Sequence, residues 1–245
     1  MNPFSLVLGA SIALLATVAG AAGVFAIKRM PAALWPTVIA FGAGMMALSA
    51  LEMLNEAHAM VGHKAAFLSL LVGMVVLVLL AKSLPHLHWI ISRSAMPPAR
   101  KKATLLAGTI TLHNIPEGLA IASAFADSPS LGWLVAISIA LQDVPEGMMV
   151  SMPAACYGMP EGRSFLWGVW SGVAEFAAAI VGYFCLTALS KATPFALGFS
   201  AGAMIYVVLF ELLPDVIQSE HPRHGGLAFV AGIAAAYLLS AVIGR

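Results

Sequence analysis

A chain of 245 residues that is 61% hydrophobic and only 9% charged lies far from the balance of a water-soluble domain, where about a quarter of residues carry charge. A formal net charge of +1 leaves no basic stripe to neutralise a phosphate backbone, which argues against a nucleic-acid partner. Cys156 and Cys185 lack CxxC spacing, so neither a disulfide framework nor a zinc knuckle is indicated.

Apolar runs long enough to cross a hydrocarbon core, about 20 residues each, fall at 3–26, 34–57, 65–84, 103–126, 131–155, 164–189, 194–216 and 226–243. The expected fold is an all-α integral membrane protein of eight transmembrane helices, one domain over 1–245, with a short cytoplasmic loop at 85–102 as its main connection. Pro31, Pro36, Pro85, Pro97, Pro98, Pro129, Pro160, Pro194 and Pro222 fall in or beside the connections, as helix punctuation should. The first run reads as a span and not as a cleaved signal, because Lys28 and Arg29 follow it, the reverse of signal-peptide polarity. With the N-terminus outside, Lys28, Arg29, Lys82, Arg93, Arg100, Lys101, Lys102, Arg163 and Arg223 are cytoplasmic, against Lys64, Lys191 and Arg245 outside. The positive-inside rule therefore predicts that both termini face outward.

Helix 2 carries Met46 at mid-depth, a possible thioether ligand or simply core, and then Glu52 and Glu56 toward its outer end. Helix 4 carries His113-Asn114-Ile115-Pro116-Glu117 and helix 5 Gln142-Asp143-Val144-Pro145-Glu146. In each, the first and last residues are four apart and share a face, with Asn114 or Asp143 flanking it. Each proline also releases a carbonyl four residues earlier, at Leu112 or Leu141, inside the membrane. Helix 6 adds Glu175 at similar depth. Buried carboxylates need a partner, and with every Lys and Arg in a loop or at a helix end that partner is expected to be a mobile cation. An imidazole among carboxylate and amide oxygens suits zinc, iron or manganese better than magnesium or calcium. His113, Glu117, Gln142 and Glu146 are assigned to one metal position. Asn114, Asp143 and Glu175, with the glutamates shared, could form a second.

Helix 7 repeats helix 2: Phe199-Ser200-Ala201-Gly202-Ala203-Met204 follows Phe41-Gly42-Ala43-Gly44-Met45-Met46, and Glu211 with Asp215 mirrors Glu52 with Glu56. This pattern predicts a 3+2+3 arrangement, in which helices 1–3 and helices 6–8 form an inverted repeat around helices 4 and 5. The mirrored acids then mark an outer approach and an inner exit, or merely helix ends. Either reading also holds for His86 and His88, which could catch metal at the exit or stay idle. His58, His63, His221 and His224 read as idle loop residues.

These motifs resemble the ZIP family of metal transporters, and the Gln-Asp form on helix 5 resembles its bacterial GufA-type branch. The resemblance covers the whole chain, including Ser171-Gly172-Val173-Ala174-Glu175 on helix 6. It implies a multi-pass protein of the bacterial inner membrane that takes up zinc, with cadmium, iron or manganese as further substrates, through one or two metal sites. It further implies a homodimer and an elevator-like movement of helices 1, 4, 5 and 6 against 2, 3, 7 and 8. Two departures stand out: Leu80-Ala81-Lys82-Ser83 where relatives often carry an aspartate, and no long histidine-rich tract in the cytoplasmic loop. No prosthetic cofactor and no enzyme activity are expected. The competing readings are an intramembrane zinc metalloenzyme, which would lack an HExxH pair here, and a non-transporting metal sensor.

Overall fold

The computed structural model describes residues 3–26, 34–92, 98–156 and 158–243, and these are helical almost throughout. In chain order they form α1 (Pro3–Ala21), α2 (Gly23–Ala26), α3 (Leu34–Ser92), α4 (Pro98–Asp127), α5 (Pro129–Cys156), α6 (Glu161–Ala188), α7 (Thr193–Val207), α8 (Leu213–Ile217) and α9 (Pro222–Ile243). A 3-10 turn at Ser190–Ala192 leads into α7, and a π turn at Val208–Leu212 joins α7 to α8 as one rod. Six stretches are long and apolar enough to cross a membrane: Pro3–Ala26, Pro36–Leu80, Pro129–Cys156, Glu161–Ala188, Thr193–Ile217 and Pro222–Val242. This is a multi-pass membrane protein. A seventh long helix, α4, starts five residues before the expected 103 and carries the first polar motif.

Three connections differ from expectation. The expected loop between helices 2 and 3 shrinks to Gly62, the single residue in α3 with non-helical dihedrals (φ 79, ψ 165), a conformation that only glycine adopts without penalty. His58 and His63 are therefore helical, not loop residues, and His224 lies in the first turn of α9. The expected loop at 85–102 is helical to Ser92 and again from Pro98. Residues 93–97 and the side chains of His86 and His88 lie outside the described residues.

Glycines set which helices touch, because a missing side chain lets backbones approach. A Cβ at Gly44 would overlap the Phe229 carbonyl oxygen, and one at Gly232 would overlap that of Phe41, so the first part of α3 is clamped to α9. The second part is clamped to α7 in the same way, Gly202 against the Leu70 carbonyl and Gly73 against that of Phe199. The first part runs parallel to α9, with Pro36 near Gly225 and Glu52 beside Ser240. The second runs parallel to α7, from Ser69 at Gly198 onward. At its far end the rod of α7 and α8 brings Val216 to Gly225, at the start of α9, so rod and α9 are antiparallel. The chain thus reverses direction at Gly62.

Around α5 and α4 the same device recurs. Gly147 of α5 meets the Thr17 carbonyl of α1, Gly20 of α1 meets the Val144 carbonyl, and Gly118 of α4 meets the Glu175 carbonyl of α6.

Candidate metal centre

The two motif helices turn their polar residues inward for a reason visible in the sequence. Ile115 is 47% exposed, while His113, Asn114 and Glu117 on the same turns are at most 7% exposed. Leu141 and Val144 likewise point outward, and Gln142, Asp143 and Glu146 are buried. Four-residue spacing stacks first and last residue of each motif on one face, and the glycine after each glutamate draws in a neighbour. At Gly118 that neighbour is the backbone of Glu175 itself, which explains how a carboxylate from α6 reaches this depth with 1% exposure.

One carboxylate oxygen each from Glu117, Asp143 and Glu146 lies within 4.8 Å of the others. Gln142 Nε2 donates to Glu117 Oε1 at 2.6 Å, and Asn114 Nδ2 donates to the Ser171 carbonyl at 3.3 Å. Asn114 thereby spends a donor on the α6 backbone and Gln142 spends one on a carboxylate of the cluster, and each keeps its amide oxygen unshared. Glu175 stands beside Asp143. Twelve buried side-chain oxygens among the described residues have no hydrogen-bond partner, and eight of them belong to Asn114, Glu117, Gln142, Asp143, Glu146 and Glu175. Native proteins leave few such atoms unpaired, and this concentration of acceptors in one place could hold a cation. Carboxylate and amide oxygens of this kind can coordinate a divalent ion.

The remaining expected ligands are placed differently. His113 Nε2 faces Glu211 Oε2 at 3.1 Å, and the imidazole is not part of the close group formed by the three carboxylates. Met46 is fully buried in an apolar cluster that includes Ala43 and Ala50. Glu52 is held beside Ser240 of α9, Glu56 is half-buried and Asp215 is exposed.

Glu211 as a partner of His113 was not read from the sequence, which marked it only as part of a mirrored acid pair. The signal was Pro214. Lacking an N–H, it cannot bond the carbonyl four residues earlier, and the chain widens to a π turn in which the Leu213 N–H bonds the Val208 carbonyl. One inserted residue rotates Glu211 relative to a regular helix, and π turns recur at functional sites for this reason.

A sequence profile described as ZIP Zinc transporter matches residues 98–240, the stretch from α4 through most of α9 that holds every one of these motif residues. The chain belongs to the ZIP family. The zinc transporter ZIPB of Bordetella bronchiseptica is 34% identical over 250 residues, covering 97% of this chain and 81% of its own length. The zinc transporter GufA of Myxococcus xanthus is 33% identical over 143 residues, 58% of this chain and 56% of its own, in keeping with the GufA-type form of the second motif. A relative from Arabidopsis thaliana is 33% identical over 141 residues, but the chain spans only 23% of its length. This ZIP chain therefore carries its two polar motifs within the matched stretch, on proline-containing, glycine-clamped helices that converge on buried oxygens.

Proposed function

We propose that the protein is a secondary transporter that moves divalent transition-metal ions, zinc foremost and cadmium, iron or manganese as alternatives, toward the cytoplasm. The observation that carries this reading is the group of eight unpartnered oxygens around Glu117, Asp143 and Glu146, reinforced by relatives named zinc transporters. In this reading the three carboxylates and the Gln142 oxygen hold one ion, His113 joins them by leaving Glu211, and Asn114 and Glu175 complete a second, bridged position. The ion is substrate, and the reaction is movement, with no bond made or broken in a substrate.

The chain is read as one domain crossing the membrane eight times. The Pro36–Leu80 stretch of 45 residues would be about 68 Å long as one helix, more than twice a hydrocarbon core of about 30 Å, and the reversal at Gly62 divides it into two spans. The glycine contacts support the inverted repeat residue by residue. Gly44 and Gly202 occupy matching places in the repeated sequences, as do Phe41 and Phe199, and each pair meets its partner helix through a glycine and a carbonyl three residues apart, Gly232 with Phe229 and Gly73 with Leu70. Gly147 meets the Thr17 carbonyl and the Ala21 nitrogen, and Gly118 meets the Glu175 carbonyl and the Ala179 nitrogen, again with equal spacing.

An elevator movement finds support in the same contacts. Among the described glycines, every close backbone approach joins helices within α1, α4, α5 and α6 or within α3, α7, α8 and α9. Across the seam Gly42 meets Pro145 only at ordinary van der Waals distance. Interlocked backbones resist sliding and side-chain surfaces permit it. Assembly as a homodimer in the bacterial inner membrane with both termini outside completes the proposal.

The test is zinc flux into liposomes carrying the purified protein. Wild type should accumulate radioactive zinc, and Glu117→Ala or Glu146→Ala should abolish uptake while still inserting. Saturable zinc binding with no flux would replace the transporter by a sensor, and turnover of lipid or peptide without flux would replace it by an enzyme.

A further inference from the structure

On an unbroken helix two residues five apart stand roughly 140° around the axis from each other, and their side chains diverge. His58 and His63 are five apart, yet their rings stack with centroids 3.6 Å apart and planes 21° from parallel. The reversal at Gly62 between them is what brings them together. They line a cavity of about 410 Å³ whose third polar wall is Asn55, the rest being apolar side chains such as Leu51, Leu54 and Phe67. Lys64, next in sequence, is exposed and does not line the cavity.

We propose that His58, His63 and the Asn55 side chain form a further divalent-metal site, separate from the buried carboxylate centre, at the end of the molecule where α3 reverses. Two imidazoles and an amide oxygen facing one cavity are borderline ligands of the kind that zinc, nickel and copper(II) take from side chains. Two imidazoles on one tetrahedral zinc, each bonded at about 2.0–2.1 Å, place their ring centroids about 5 Å apart. The stacked pair at 3.6 Å therefore needs to open by about 1.5 Å, a side-chain rotation for the exposed His63. The site occupies the outer mouth if the termini face outward, with Glu52 and Glu56 further along the same helix toward the carboxylates. Its role as the first stop for cargo rests on the proposed transport function; zinc binding there does not.

The test uses full-length protein in nanodiscs, with zinc alone as the probe and bound zinc counted by equilibrium dialysis. In a Glu146→Ala background, which removes the carboxylate site from the count, His63→Phe should lose the remaining bound zinc while keeping the ring stack, and His63→Cys should retain it. In otherwise wild-type protein in liposomes, His63→Phe should raise the KM for zinc flux by about tenfold, the lower range for a weakened metal site, and leave the maximal rate within twofold. Equal zinc binding by His63→Phe and its parent would overturn the site and leave the pair as packing. Loss of bound zinc with no flux in any protein, wild type included, would leave the site standing and sink the transport reading instead.

Discussion

Replacing Glu146 by glutamine separates the charge of the carboxylate cluster from its shape. The oxygens of Glu117, Asp143 and Glu146 lie within 4.8 Å, and two ionised carboxylates at that separation repel by about 3 kcal/mol at an effective dielectric of about 20. A divalent ion bridging them converts that repulsion into attraction. Glu146→Gln keeps the side-chain volume and removes one ionisable group, so at a pH high enough to ionise the cluster the metal-free protein should melt higher than wild type. At about 2–4 °C per kcal/mol for a chain of this size, relief of about 3 kcal/mol corresponds to a rise of about 6–12 °C. Zinc at a hundredfold over its Kd should stabilise wild type by about 2.7 kcal/mol, whereas the variant should show little or none of that shift. Thermal unfolding of purified protein, followed with and without zinc, reads both quantities. A full zinc response in Glu146→Gln, Glu117→Gln and Asp143→Asn alike would refute the carboxylate site, and a lowered metal-free midpoint would make Glu146 structural.

Glu211→Gln should lower zinc flux by about tenfold, in the range for groups that orient a ligand, and leave the zinc-induced thermal shift in place, because Glu211 contacts His113 and not the three carboxylates; equal losses of both would place Glu211 in the metal site itself. Gly147→Ala would push a methyl into the Thr17 carbonyl, where backbone cannot yield, and should destabilise by about 1–3 kcal/mol, read as a lower melting midpoint. Gly202→Ala should do the same at the other bundle, and Gly162→Ala, which has open space, serves as the neutral comparison. Gly62→Ala meets no neighbour but must adopt φ 79 with ψ 165, so it should destabilise by about 1–3 kcal/mol and weaken the contact between His58 and His63.

Much of the centre was legible because intramembrane acids are rare and helical spacing is regular. His113, Glu117, Gln142 and Glu146 are buried on shared faces as their four-residue spacing implied, and Asn114, Asp143 and Glu175, expected at the same depth, are buried too. What spacing alone could not convey is a change of register. Glu211 reaches His113 through a π turn, and a regular 3.6-residue count puts its side chain elsewhere. The same limit explains His58 and His63: hydropathy suggested a loop of several residues, whereas one glycine with positive φ makes the reversal. The connections that proline marks were easier to place, since proline announces itself and a lone glycine in an apolar run does not.

The proposed inverted repeat would have a consequence for biogenesis. Segments related by an inverted repeat enter the bilayer in opposite senses, so they can share a glycine pattern but not a charge pattern. The insertion machinery reads Lys and Arg on short loops, and the connection after the first span holds Lys28 and Arg29, where the matching connection after α6 holds Lys191 alone. Moving those two cations from one connection to the other would leave every helix contact nominally possible while erasing the cue that tells the first half from the second.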